Sequence, residues 1–365
     1  MEYAFAFILL IHGLIHLMGF AKAFKYAAIK SLTLPISKPA GLLWLLTSLL
    51  FMLVLAGFLL DKNFWPMLAI VTALLSQLLI VSVWRDAKSG TVANIIVLLV
   101  AIPPYAHNGF VAMTETEARG LLAGVTLNND RITSEDLAEL PPVIRKWLDS
   151  AKVTETTQAY CARIRQRGKM RLKPDERWME FEAVQYFDLQ KPGFVWSVNV
   201  EMTPPLYMDG RDKFEQGQGE MLIRILSLIT VVNERNNDKI TTSTMLRYLG
   251  EISWFPSAAL NPYIRWETID SLSAKATMSY QHTEAEAIFR FNEAGDFVAL
   301  EAERYYGGGE DATLERWIVS ADDYKIINGI KVPYRNSVTW KLKDGDFKWL
   351  TLEITDLEVN RPELY

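Results

Sequence analysis

Four long apolar runs dominate the first 106 residues and are separated by short polar stretches. A helix needs about 17–25 mostly apolar residues to cross the hydrocarbon core of a bilayer. The runs are Tyr3–Ala21, Gly41–Leu60, Phe64–Trp84 and Thr91–Ala106. The first three contain no Asp, Glu, Lys or Arg, whereas the fourth is shorter and carries Pro103 and Pro104. The sequence therefore predicts a membrane domain of four helices over residues 1–110.

The charges divide in the same way as the hydropathy. Seven Lys or Arg and three Asp or Glu give residues 1–110 a net charge of +4. Taking these from the totals of 38 basic and 43 acidic residues leaves a net charge of −9 for the remainder. Because binding to phosphate backbones requires a basic surface, nucleic acid is excluded as a partner.

The loop charges predict how the helices are oriented. Loop Lys22–Lys38 carries four lysines and no acid, and the loop around Arg85 and Lys88 has a small positive excess. Positive loops stay in the cytoplasm, so four crossings place residues 112–365 outside. We predict an integral protein of the bacterial cytoplasmic membrane with an extracytoplasmic C-terminal domain. If Thr91–Ala106 does not cross, that domain is cytoplasmic instead.

The first apolar run contains His12 and His16, whose i, i+4 spacing places both imidazoles on one helix face. Polar groups inside a membrane usually face the interior of a helical bundle. One interpretation is a haem or metal site, with His107 as a further ligand. The other is hydrogen bonding between helices that approach closely at Gly13 and Gly19. Either way, the two histidines are a predicted intramembrane polar site.

The C-terminal part changes to a period of two, which is typical of strands. We predict a linker over residues 111–133 and a β-rich domain over residues 134–365. A helix is expected to begin at Ser134 and to pack Val143, Trp147 and Leu148 against the sheet. About a dozen short strands follow, interrupted by one helix at Thr242–Leu260. This pattern predicts an α+β domain whose curved antiparallel sheet forms a half-barrel or nearly closed barrel around the inserted helix.

The first two strands carry complementary charges. Basic residues alternate along one strand, and Pro174–Asp175 marks a turn before the next. A two-residue loop there pairs residues whose numbers sum to 349, so Lys169 faces Glu180 and Arg167 faces Glu182. Such pairs stabilise a sheet by about 0.2–1 kcal/mol each. A surface for acidic lipid headgroups is the alternative interpretation of the basic stripe.

Most catalytic motifs are absent from the sequence. It has no phosphate-binding glycine loop, no dinucleotide fingerprint and no helical metalloprotease pair. His282 is the only histidine after residue 110, and Cys161 is the only cysteine of the chain. A disulfide within the chain is therefore impossible, and a zinc site would need several carboxylates. We predict no cofactor and favour a protein without catalytic activity.

The segment Met245–Leu260 contains the densest group of candidate ligand-binding residues. Arg247 and Glu251 are four residues apart on one helix face and can form an ion pair. The predicted set is Arg247, Tyr248, Glu251, Trp254 and Phe255, together with Trp196 on an earlier strand. The helix either fills the concave side of the sheet or forms the wall of an apolar pocket, and one helix can do both.

Several segments resemble a bacterial family of membrane-attached proteins of unknown function. They are Leu140–Val143, Gln166–Gly168, Pro192–Trp196, Met245–Leu260 and the leading Ile11–Phe20. The resemblance covers most of residues 134–358 and implies domain limits but no activity. More distantly, the strand order and Asp209–Gly210 resemble periplasmic lipoprotein carriers of the half-barrel type. Those carriers wrap a curved sheet around helices to hold acyl chains.

The predicted function is therefore binding of an apolar ligand near the membrane, either a lipid or the acyl part of a lipoprotein. An enzyme that acts on envelope lipids or glycans is the second hypothesis. It requires two carboxylates, such as Glu182 and Glu251, to converge in one cleft within about 5–10 Å. A scaffold protein of the cell envelope is the third hypothesis, and it requires a filled barrel with an exposed apolar patch.

Overall fold

The computed structural model describes residues 2–154, 156–307 and 309–365. The chain forms two compact units, which divide between Phe110 and Val111. The first unit is helical, and its last helix continues into the second. The helices are α1 (Glu2–Ala23), α2 (Lys38–Leu59), α3 (Trp65–Ser82), α4 (Trp84–Ala87) and α5 (Gly90–Leu122).

Helices α1, α2, α3 and α5 are long and apolar enough to cross a membrane. Helix α5 has 33 residues and keeps Pro103 and Pro104 in its interior. It is twice as long as the predicted fourth run and extends through 111–122, within the stretch predicted as a linker. Proline is tolerated inside membrane helices because neighbouring groups satisfy the freed backbone carbonyls.

Two glycines on α1 allow α2 to approach closely. A Cβ atom at Gly19 would lie 2.2 Å from Trp44 Cδ2, and one at Gly13 would lie 2.4 Å from Met52 Cε. Small residues at such positions let membrane helices pack by van der Waals contact. The predicted close approach at Gly13 and Gly19 is confirmed.

The second unit contains one antiparallel sheet of thirteen strands. Its strands are β1 (Cys161–Met170), β2 (Met179–Asp188), β3 (Gly193–Glu201), β4 (Tyr207–Glu215), β5 (Gln218–Ile225), β6 (Ile229–Glu234), β7 (Ile264–Asp270), β8 (Ser273–Tyr280), β9 (Thr283–Phe291), β10 (Phe297–Tyr306), β11 (Thr313–Ile327), β12 (Ile330–Leu342) and β13 (Gly345–Val359). The spatial order is β6-β5-β4-β3-β2-β1-β13-β12-β11-β10-β9-β8-β7. The sheet is curved and is not closed, because β6 and β7 remain its two edges. The predicted curved antiparallel sheet with an inserted helix is confirmed.

A tight turn separates β5 from β6. Leu226 and Ser227 have positive φ values of 53° and 58°. Positive φ is unusual for residues with a Cβ atom and reverses the chain in a tight turn. Strands β5 and β6 therefore form a hairpin, in which Ile225 pairs with Ile229.

Helix α6 (Pro142–Ser150) packs against the far end of the sheet. Its Trp147 ring lies 5.9 Å from Phe289 and 5.6 Å from Phe291. The predicted start at Ser134 is wrong. The Thr133 amide donates to the Asp136 carboxylate and forms a turn there, and the helix begins only at Pro142, where proline suits the first turn.

Helix α7 (Asp238–Glu251) connects the two edge strands and lies against the concave face of the sheet. It begins four residues before the predicted Thr242, where the Asn237 side chain accepts hydrogen bonds from the amides of Lys239 and Ile240. Asparagine is among the preferred N-cap residues. Two short 3₁₀ helices, Ile252–Trp254 and Pro256–Leu260, complete the insertion. The helix therefore forms one wall of whatever space remains inside the sheet.

Candidate functional site

A cavity of about 530 Å³ lies between α7 and the concave face of the sheet. Ligand pockets in proteins commonly measure about 300–1,000 Å³ and are mainly apolar. The apolar lining includes Met170, Phe181, Val198, Met208, Ile223, Ile240, Trp317, Val319, Val338, Trp340, Phe347 and Leu350. The interior of the sheet is therefore not filled by its own side chains.

Arg247 of α7 forms the centre of the polar part of the cavity wall. Its Nη1 atom donates to Asp212 Oδ2 of β4 at 2.8 Å, and its Nε atom donates to Glu251 Oε1 at 2.8 Å. The side chains of Arg247, Asp212 and Glu251 are 16%, 5% and 10% exposed, respectively. One buried cation is thus held by two carboxylates.

A chain of side-chain hydrogen bonds extends from this ion pair across the sheet. Gln185 Nε2 donates to Glu251 Oε2 at 2.7 Å, and Trp196 Nε1 donates to Gln166 Oε1 at 2.9 Å. The Arg247 guanidinium also lies 4.3 Å from the centre of the Trp196 ring, a cation–π distance. These contacts fix the side chains of β1, β2 and β3 at the cavity wall.

Burial raises the pKa of Glu251, and the positive charge of Arg247 partly opposes this effect. A buried carboxyl loses hydration mainly in its charged form, so its proton is held more tightly. Both oxygens of Glu251 already accept hydrogen bonds, from Arg247 and from Gln185. The carboxyl is therefore engaged in holding α7 in place.

The structure brings four of the six predicted ligand-binding residues to the cavity: Arg247, Glu251, Trp254 and Trp196. The other two point into the core behind α7. The Tyr248 hydroxyl lies 2.7 Å from that of Tyr263, and the Phe255 ring lies 4.8 Å from Phe187. Their aromatic character is explained by packing, while a ligand role for the other four stays a prediction.

Sequence reasoning missed several polar residues of the cavity wall, among them Asp212 and Arg304, and it also missed Gln185, which donates to Glu251. The sequence does carry a signal for Arg304, which is a charged residue at a strand position where the alternation calls for an apolar one. Arg304 follows Leu300 and Ala302 on the buried face of β10, and all three are buried. A charged residue in register with an apolar face is uncommon and marks a functional candidate.

The two carboxylates named for a glycan or lipid enzyme lie on opposite faces of the sheet. Glu182 is exposed between the buried Phe181 and Ala183, and it lines a groove on the outer face. Glu251 lines the cavity on the inner face. The paired-carboxylate arrangement required by that hypothesis is therefore wrong for these two residues.

His12 and His16 lie together in the membrane unit, with ring centres 4.8 Å apart. His12 Nε2 lies 2.9 Å from Asn94 Oδ1 and 3.2 Å from Ser76 Oγ. His16 Nδ1 donates to the His12 carbonyl at 2.8 Å. Among the described residues, no group of three or more His, Cys, Asp or Glu side chains could hold a metal ion. Hydrogen bonding between helices accounts for His12.

A domain from Vibrio parahaemolyticus, described as an outer membrane lipoprotein-sorting protein, aligns with 56% of this chain over 87% of its own length. The TM-score is 0.35 and the sequence identity is 8%, values that support no conclusion about function. No curated protein matches the chain. A family of unknown function, DUF6920, matches residues 138–358, which is more than half of the sequence. The chain belongs to the DUF6920 family.

Proposed function

We propose that the β-rich unit binds an apolar ligand, a lipid or the acyl part of a lipidated molecule, inside the cavity. The supporting observation is the cavity itself, about 530 Å³ of space lined mainly by aliphatic and aromatic side chains. Empty apolar space destabilises a fold because its lining loses van der Waals contacts. A bound acyl chain restores those contacts and removes apolar surface from water.

We propose that the apolar helices anchor this binding unit in a membrane. Four apolar helices precede the sheet, and the lysine-rich loop Lys22–Lys38 favours a cytoplasmic position for that loop. We therefore propose that the β-rich unit lies outside the cytoplasm, beside the outer leaflet of the inner membrane. A C-terminal alkaline phosphatase fusion should be active and a C-terminal green fluorescent protein fusion should be dark. The reverse result would remove the proposed setting.

Occupancy of the cavity can be tested with a photoreactive fatty alcohol and the full chain in nanodiscs. Val319 lines the cavity, whereas the neighbouring Ile318 lies on the opposite face of β11. Val319→Trp should place an indole ring inside the cavity, and Ile318→Trp is the matched control. We expect crosslinks to peptides of β10, β11 and β12 in the wild type and in Ile318→Trp.

The Val319→Trp variant should lose most of that labelling, by about tenfold, because a ligand cannot share the volume taken by the indole ring. Labelling confined to the transmembrane helices would contradict the proposal. Equal labelling of the strands in both tryptophan variants would contradict it too. Lipid extraction and mass spectrometry of the purified wild type then identifies what the cell supplies.

A further inference from the structure

Arg304 presents a buried positive charge at the cavity without a carboxylate beside it. The residue is 9% exposed and lines the cavity from β10. Its Nε atom donates to the Ser243 carbonyl at 3.2 Å. Among the described residues, no Asp or Glu oxygen lies within 4.0 Å of its guanidinium. Buried charges in proteins are normally paired, since an isolated one loses its hydration without compensation.

The contrast with Arg247 is direct, because both side chains line the same cavity. Arg247 is held by Asp212 and Glu251 at 2.8 Å each. Arg304 instead stacks on two indole rings, with its guanidinium 4.6 Å from the centre of Trp317 and 5.7 Å from that of Trp340. The rings lie against the guanidinium, and no carboxylate among the described residues contacts it directly.

The immediate neighbours of Arg304 add further hydrogen-bond donors. The Ser243 hydroxyl and the Trp317 indole N–H are buried and have no hydrogen-bond partner among the described residues. Burial lowers the pKa of Arg304 to about 10, although Asp212 raises it and Arg247 lowers it further. The side chain is therefore still charged at neutral pH. This corner of a mainly apolar cavity offers one cation and several N–H and O–H groups.

We propose that Arg304 binds the anionic head group, a carboxylate or a phosphate, of the amphiphile whose chain occupies the cavity. This inference rests on the proposed function and names the chemical class of its ligand. A planar guanidinium can donate two parallel hydrogen bonds to the oxygens of either group. The apolar lining binds the hydrocarbon chain. The head group and the chain are therefore bound by different parts of one site.

The test is a competition experiment with the full chain in nanodiscs and the photoreactive fatty alcohol as reporter. The competitors are oleate, oleyl phosphate, oleyl alcohol and inorganic phosphate. In the wild type, oleate and oleyl phosphate should compete about tenfold to a hundredfold better than oleyl alcohol. Inorganic phosphate alone should not compete, because it brings no chain.

Three variants assign the preference to Arg304. Arg304→Met should reduce competition by oleate and oleyl phosphate to the level of oleyl alcohol and leave oleyl alcohol unchanged. Arg304→Lys should keep part of the preference, since it keeps the charge but not the guanidinium plane. Arg316→Met is the matched control, because Arg316 of β11 is 52% exposed and pairs with Glu301 outside the cavity.

The outcomes separate this inference from the proposed function. If all three oleyl compounds compete equally in the wild type, the head-group assignment is overturned and binding of an apolar ligand stands. If inorganic phosphate competes as well as oleyl phosphate, the site binds a free anion and the amphiphile is excluded. If none of the compounds competes, both proposals fail. The wild-type comparison decides these outcomes even if Arg304→Met does not fold.

Discussion

Nη1 of Arg247 lies 2.8 Å from Oδ2 of Asp212, and this contact fastens α7 to β4 inside the concave face. The two residues are 35 positions apart in sequence. Glu251, one helical turn further along α7, accepts a second hydrogen bond from the same guanidinium. Removal of Arg247 would leave both carboxylates without their cation, whereas removal of either carboxylate would leave one ion pair in place.

We expect Arg247→Met to destabilise the β-rich unit more than a loss of packing alone would. Breaking a buried ion pair by removing one partner costs about 3–5 kcal/mol. For a unit of this size, that corresponds to a fall of about 10 °C in the thermal midpoint. The thermal midpoint is measured by near-ultraviolet circular dichroism of the full chain in nanodiscs. The triple variant with Asp212→Asn and Glu251→Gln should recover part of the loss. An unchanged midpoint in Arg247→Met would show that the ion pair contributes nothing.

In the membrane unit, we expect Asn94→Ala to weaken the association of the helices. Asn94 is buried between His12 of α1 and Gln77 of α3, with contacts of 2.9 Å and 3.0 Å. Hydrogen bonds between membrane helices contribute about 0.6–1.7 kcal/mol each. The midpoint of unfolding by sodium dodecyl sulfate should fall. Thr72→Ala is the control, since the Thr72 hydroxyl donates to the Leu68 carbonyl of its own helix, and an equal effect would contradict the prediction.

Cys161 should react slowly with alkylating reagents in the folded protein. The residue is fully buried, and burial raises the pKa of its thiol to about 11 from 9.0. Because the thiolate is the reactive form, alkylation by iodoacetamide at pH 8 should be roughly a hundredfold slower than for an exposed cysteine. Lys343→Cys in a Cys161→Ser background supplies that exposed reference. Similar rates at both positions would disprove the burial.

The same shift in pKa has a consequence for stability. The folded protein binds the thiol proton more tightly than the unfolded chain. The resulting contribution to the free energy of unfolding is therefore complete below about pH 9. This contribution is lost as the pH rises from 9 to about 11. Cys161→Ser should show a smaller fall in thermal midpoint over this range than the wild type.

The register of β1 and β2 could be predicted from a turn centred on Pro174–Asp175 together with the complementary charges, although the connection spans residues 171–178 and not two residues. Lys169 pairs with Glu180 and Arg167 pairs with Glu182, so paired numbers sum to 349 as expected. The Lys169 ammonium lies 3.0 Å from the Glu180 carboxylate. Arg167 turns to the other neighbouring strand, where it contacts Glu353 at 3.3 Å. Complementary charges at matching positions identify two strands as neighbours. They do not predict with which of the two adjacent strands each side chain forms its ion pair.

The site itself was only partly predictable, because some of its contacting residues are far apart in the sequence. Arg247 and Glu251 could be paired because a helix brings residues four apart together. The partners from the sheet, Asp212 and Gln185, are 35 and 66 residues away from the helix residues that they contact. Their positions depend on the order of strands around the curved sheet. Strand periodicity fixes the face of each residue but not its neighbours across the cavity.

Replacement of Arg304 should have opposite effects on stability and on binding. The wild-type protein keeps a cation on a buried face beside Leu300 and Ala302, with no acid within ion-pair distance among the described residues. An apolar side chain of similar length removes that desolvation cost and packs on Trp317 and Trp340. We therefore expect Arg304→Met to raise the thermal midpoint by a few degrees while it abolishes the preference for anionic amphiphiles.

This combination distinguishes a functional cation from a structural one. A structural arginine would resemble Arg247, whose removal should lower the midpoint because it leaves Asp212 and Glu251 unpaired. Arg304→Met and Arg247→Met are therefore measured side by side, without ligand and with saturating oleate. Oleate should raise the midpoint of the wild type, because a ligand that binds only the folded state stabilises it. Its effect should be much smaller in Arg304→Met. A fall in the ligand-free midpoint of Arg304→Met would instead mean that the fold depends on the buried charge.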